Sequence, residues 1–113
     1  MAVIDRWLMG MVEHGASDLH LSTDCKPIYR KDGGIAVLKS EDSLDEQRAK
    51  TILYEIMPER NEQEYNATND TDFAYELEGY GRYRCNIFRD HKGMCGVFRL
   101  IPDKILTCEE LGL

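Results

Sequence analysis

Arg84 and Arg99 are the side chains in this sequence whose spacing points most directly to chemistry. They sit in two alternating stretches, 82–89 and 94–101, joined by Asp90-His91-Lys92-Gly93. With that four-residue turn centred on His91-Lys92, opposed residues have numbers that sum to 183. One face of the hairpin then pairs Tyr83 with Leu100, Cys85 with Phe98 and Ile87 with Gly96, and it is apolar. The other pairs Arg82 with Ile101, Arg84 with Arg99 and Asn86 with Val97. Like charges directly opposed on a sheet are unfavourable, by a few tenths of a kcal/mol up to about 1 kcal/mol. An anion shared between two guanidinium forks offsets that penalty, and a carboxylate or a phosphate has the right shape. The anion can also be internal, since residues 41–79 hold twelve acids against three bases. Spacing alone leaves both readings open, and a bulge in either strand would shift the register and undo the pairing.

The remaining reactive residues carry weaker signals. Asp18 and His20 share one face of a short alternating stretch, but two ligand types two residues apart do not make a metal site, and a structural or inter-domain role is expected. His14 at a helix end and His91 in a turn are expected near solvent, with His14 favouring the helix dipole. Trp7 falls at core spacing. Cys25, Cys85, Cys95 and Cys108 include no C-x-x-C pair and are expected to be structural thiols. No Ser/His/Asp or Cys/His arrangement can be built.

The composition, 42% hydrophobic and 31% charged over 113 residues, is that of one globular domain. A net charge of −7 argues against nucleic acid as a bulk partner. No apolar stretch is long enough to span a membrane, and no secretory signal follows Met1, so a cytoplasmic chain is expected. Residues 80–104 carry six bases and two acids, so the arginine hairpin is a basic island in an acidic chain.

The elements that must position these residues are legible as patterns. Val3, Ile4, Trp7, Leu8, Met11 and Val12 recur at helical spacing, and Gly15 supplies the stop. Asp18 to Leu21, Ile28 to Arg30 and Ile35 to Leu38 read as three strands, with Asp32-Gly33 as a hairpin turn. Ser43 to Glu46 has the capping-box form, Ser43 as N-cap and Glu46 at N3. That helix places Ala49, Ile52, Leu53, Ile56 and Met57 on one face. Pro58 at N1 opens a second, mostly polar helix over Glu59 to Tyr65, expected on the surface. Residues 72–77 alternate as a fourth strand, and Gly79-Tyr80-Gly81 turns the chain into the hairpin. The order α-βββ-αα-βββ calls for an α+β, PAS-like antiparallel sheet with helices packed on it. The strand order is not fixed by pattern.

Six segments in order resemble the amino-terminal domain of the twitching-motility, pilus-retraction ATPases (PilT/PilU type) of the type II/type IV secretion ATPase superfamily. They are 15–22 (GASDLHLS), Asp32-Gly33, Thr71-Asp72-Phe73, 81–88 (GRYRCNIF), 97–102 (VFRLIP) and 106–112 (LTCEELG). The DLHL strand and the FRLIP ending are more similar to the retraction motor than to its accessory paralogue. The resemblance implies a PAS-like amino-terminal domain over 1–103 and, over 104–113, the start of a linker to a RecA-like ATPase domain absent from this chain. It implies a cytoplasmic homohexamer at the inner-membrane base of the pilus machine, partnered by an inner-membrane platform protein. ATP and magnesium would be bound only in the full-length protein. There, Arg84 and Arg99 would reach the ATP phosphates, with Arg82 as runner-up or subunit-interface residue. The sequence holds no G-x-x-x-x-G-K-[ST], so this chain alone is not expected to be an enzyme or to require a cofactor. A free-standing PAS-like sensor or protein-interaction module is the alternative expectation.

Overall fold

The computed structural model describes residues 2–101. The chain runs α1 (Val3–His14), β1 (Asp18–Ser22), β2 (Ile28–Lys31), β3 (Gly34–Val37), α2 (Glu46–Ile56), α3 (Glu59–Thr68), β4 (Asp70–Leu77), β5 (Gly81–Arg89) and β6 (Met94–Ile101). The strands form one antiparallel sheet in the order β3-β2-β1-β6-β5-β4. Two three-stranded meanders, one from each half of the chain, therefore meet where β1 pairs with β6. This is the α+β, PAS-like architecture the element order calls for.

The helices occupy one face of the sheet. Helix α1 lies against β1, α2 against β6, and α3 beside β4. Ile4, Trp7, Leu8 and Met11 of α1 are buried at spacings of three and four, as are Ala49, Ile52, Leu53 and Ile56 of α2. They meet Leu19, Leu21, Tyr83, Cys85, Ile87 and Phe98 from alternate positions of three strands. The α1 stripe is narrower than its periodicity implies, because Val3 and Val12 are exposed. Buried polar handles lock the layers together. The Tyr29 hydroxyl donates to the Trp7 carbonyl at 2.5 Å and the Tyr83 hydroxyl to the Leu8 carbonyl at 2.7 Å. Burial, the main cause, pushes both phenols up to about 12 and the Cys85 thiol up to about 12. Cys85 is thus core, not a nucleophile; Cys25 and Cys95 are also free thiols, and Cys108 lies outside the described residues.

Two helix starts differ from the sequence pattern. Asp45, not Ser43, caps α2, its carboxylate accepting from the Arg48 amide at 2.7 Å. The residues before it are held elsewhere: Leu44 is buried, bridges Thr23, and donates its amide to the Cys25 carbonyl. A chain engaged in an extended bridge at position 44 cannot begin helical turns at 43. Pro58 is the N-cap of α3 rather than its first helical residue, with extended ψ of 152° and its carbonyl accepting from Glu62. Helix α3 also runs past Tyr65 to Thr68, and it is not wholly a surface helix. Asn61 and Tyr65 are buried, and the Asn61 amide donates to Thr71 Oγ1 and to the Asp72 carbonyl, both at 2.8 Å.

Candidate functional site

The arginines sit where local turn chemistry puts them. The Asp90 carboxylate accepts from the amides of Lys92 (2.8 Å) and Gly93 (3.1 Å), closing the turn between β5 and β6. Gly93 takes φ of 144°, and a Cβ there would lie 2.8 Å from Thr23 Oγ1. With the turn fixed and no bulge, all eight pairs of the hairpin follow the expected register, Arg84 opposite Arg99 among them. Tyr83, Cys85, Ile87 and Phe98 face the helices, so Arg82, Arg84, Asn86 and Arg99 face the other way. Among the described residues no helix covers that face.

Across it runs a charged row that the sheet order creates. At one register level Arg30 of β2, Asp18 of β1, Arg99 of β6 and Arg84 of β5 are successive cross-strand neighbours. Arg99 Nε donates to Asp18 Oδ1 at 3.0 Å, and the Ser17 hydroxyl donates to Asp18 Oδ2 at 3.0 Å. Asp18 is buried, with a side chain only 5% exposed, whereas that of Arg99 is 70% exposed. The arginine is therefore tethered at its inner end while its tip stands in solvent. Burial alone would raise the Asp18 carboxyl, but hydrogen bonds from Arg99 and Ser17, aided by the charges of Arg99 and His20, hold it below the usual carboxylate range. The internal anion expected from residues 41–79 thus comes from β1 instead. It satisfies one arginine of the pair.

No ion pair among the described residues engages Arg84. Arg84, Arg99, Asn86, Val97 and Asp72 line a shallow open depression of about 350 Å³. The Arg84 guanidinium and the tethered tip of Arg99 converge there as donors for an anion presented from outside, while the Asn86 amide is spent on Asp70 Oδ1 and the Thr71 carbonyl. Arg82 lies further along the same face, opposite Glu76 and Ile101, and does not line the depression. His20 is half-buried on the neighbouring level, between Ile28 and Val97. A larger cavity of about 730 Å³ between α2 and α3 holds none of the candidate residues, and its Arg89 is already paired with Glu46 at 3.1 Å. Arg84, by contrast, has no ion-pair partner among the described residues.

The fold and site define a PAS-like α+β domain that carries an arginine pair on the open face of its sheet. No family model matches the chain. It is 38% identical over 101 residues to the type IV pilus retraction ATPase PilT of Pseudomonas aeruginosa, covering 89% of this chain and 29% of that protein. It is 29% identical over 109 residues to the type IV pilus ATPase PilU of the same organism, covering 96% of this chain and 28% of that protein. Among solved structures, the pilus retraction motor PilT with bound ADP superposes with a TM-score of 0.79 at 27% identity, over 94% of this chain and 34% of that one. The Legionella pneumophila ATPase DotB shares the fold, with a TM-score of 0.74 at 20% identity over 88% of this chain and 29% of that one. This chain matches the amino-terminal domain of the secretion ATPase family. It spans under a third of the length of the curated relatives above.

Proposed function

We propose that this chain is the amino-terminal domain of a hexameric motor ATPase that drives type IV pilus retraction, and that Arg84 and Arg99 reach the phosphates of ATP held mainly by a RecA-like ATPase domain. The observation that carries the reading is the register pair itself. Two arginines stand side by side on an open face, one without an ion-pair partner among the described residues and the other with its tip exposed. Relatives named as type IV pilus ATPases, one of them as a retraction ATPase, match nearly the whole chain and leave most of their own length for other parts. This sequence offers no phosphate-cradling P-loop, so the nucleotide and its magnesium belong to the ATPase domain. This domain's part is to add positive charge to the phosphates and to move against the ATPase domain during the cycle. Such a motor works in the cytoplasm at the inner-membrane base of the pilus, against a platform protein.

The test uses the full-length protein assembled as a ring. Arg84→Ala and Arg99→Ala should each lower ATP turnover, by about 100-fold if the guanidinium acts on charge developing in the transition state. Normal hydrolysis by both variants in intact rings would refute the phosphate role.

A further inference from the structure

Asp18 is a charged residue that burial and partner choice single out. It lies on β1, the strand at which the two meanders join, and its contact with Arg99 crosses that junction. Both its cross-strand neighbours at this level are arginines, Arg30 on β2 and Arg99 on β6, yet the ion pair forms only with Arg99. Ser17 takes the second carboxylate oxygen, so the carboxylate is held from two sides. The atom of Arg99 that is engaged matters. Contact through Nε fixes the base of the guanidinium and leaves both terminal nitrogens without a partner among the described residues, and that is the end that forms a two-pronged contact with a phosphate. An exposed arginine otherwise has rotamer freedom that must be lost on binding.

We propose that Asp18 is the positioning residue for Arg99: it tethers Nε so that the guanidinium tip is aimed into the depression beside Arg84. This rests on the reading that the arginine pair meets phosphates. The proposal also has a direction that simple electrostatics does not share. A carboxylate near an anion site repels the anion, so if charge alone mattered, removing Asp18 would tighten nucleotide binding. If position matters, removing it loosens Arg99 and lowers turnover.

The experiment is a mutant cycle in the full-length protein, reading kcat and KM for ATP. Asp18→Ala should lower kcat by roughly tenfold, less than the ~100-fold that outright misplacement of a catalytic group can cost. Asp18→Asn, which retains an oxygen acceptor for Nε, should recover most of that loss. In an Arg99→Ala background, Asp18→Ala should have no further effect. A purely structural role would lower activity as much with Arg99 absent as with it present, and a purely electrostatic one would lower KM in both the Ala and Asn variants. Either result overturns the proposal, as does an unchanged kcat in Asp18→Ala. If Asp18→Ala does not assemble, Asp18→Ser, too short to reach Nε, and its combination with Arg99→Ala decide the matter by the same comparison, with full additivity counting against it. Should Arg84→Ala and Arg99→Ala hydrolyse ATP normally, the phosphate reading itself falls. Should they fail while Asp18→Ala works normally, only the positioning role falls.

Discussion

The β5–β6 hairpin has two faces made by the same backbone and the same turn, and they are governed by different physics. On the inner face, Tyr83, Cys85, Ile87 and Phe98 are fully buried against the helices, and Gly96 is needed because a Cβ there would lie 2.9 Å from Leu53 Cδ2. On the outer face, Arg84 and Arg99 stand opposite one another, and the ion pair of Arg99 with Asp18 offsets part of their mutual repulsion. The inner face holds the register in place, and the outer face uses that register to keep two like charges together. Stability should therefore respond to one face, and the proposed chemistry to the other.

Three measurements would break or sharpen that contrast. Phe98→Ala, on the inner face, should cost about 3–5 kcal/mol in urea unfolding, because it opens a cavity where several elements meet. A loss below about 1 kcal/mol would show that the inner face does not hold the hairpin. Asp18→Asn should cost about 1 kcal/mol at neutral pH, a charged hydrogen bond discounted for the exposure of its arginine. The sign of its pH dependence follows from a folded carboxyl held below the ordinary 3.8. Folding is then favoured above the ordinary value, and the advantage is lost as pH falls through the folded value. The gap between wild type and Asp18→Asn should accordingly close on acidification from about pH 4 downwards. A gap that widens there would mean the carboxyl is not held by Arg99. Arg84→Ala should change stability by less than about 0.5 kcal/mol, with a small gain if like-charge strain is relieved. A large loss would mean that Arg84 is a structural residue.

The sequence resolved what depends on neighbours along the chain. The hairpin register followed from a four-residue turn, because a turn of fixed length leaves only one pairing. The Asp32-Gly33 turn followed likewise, both residues taking positive φ, 50° and 78°. The core stripes of α1 and α2 were legible from period alone, short of the exposed ends of α1. Failures came where a distant contact overrode a local preference. Ser43 has capping chemistry, but Leu44 is drawn into a bridge with Thr23, twenty-one residues away, and the helix begins later. Helix α3 has a polar composition, yet Asn61 and Tyr65 are buried, the amide because Thr71 and Asp72 of β4 supply its partners. Asp18 was visible only as a polar residue on an alternating strand. Nothing between positions 18 and 99 signals that they are neighbours.

The sequence by itself thus pointed to Arg84 opposite Arg99 on the polar face of a hairpin, and to a negative group, internal or external, as the natural company for them. Only the tertiary structure decided which negative group that is. The order β3-β2-β1-β6-β5-β4 brings the first strand against the last, and the Asp18 carboxylate meets Arg99 at one nitrogen. The reason is physical. Local pairing is set by the length and conformation of a turn, whereas the pairing of β1 with β6 is set by which apolar faces can be buried together, and that is settled by the whole core at once.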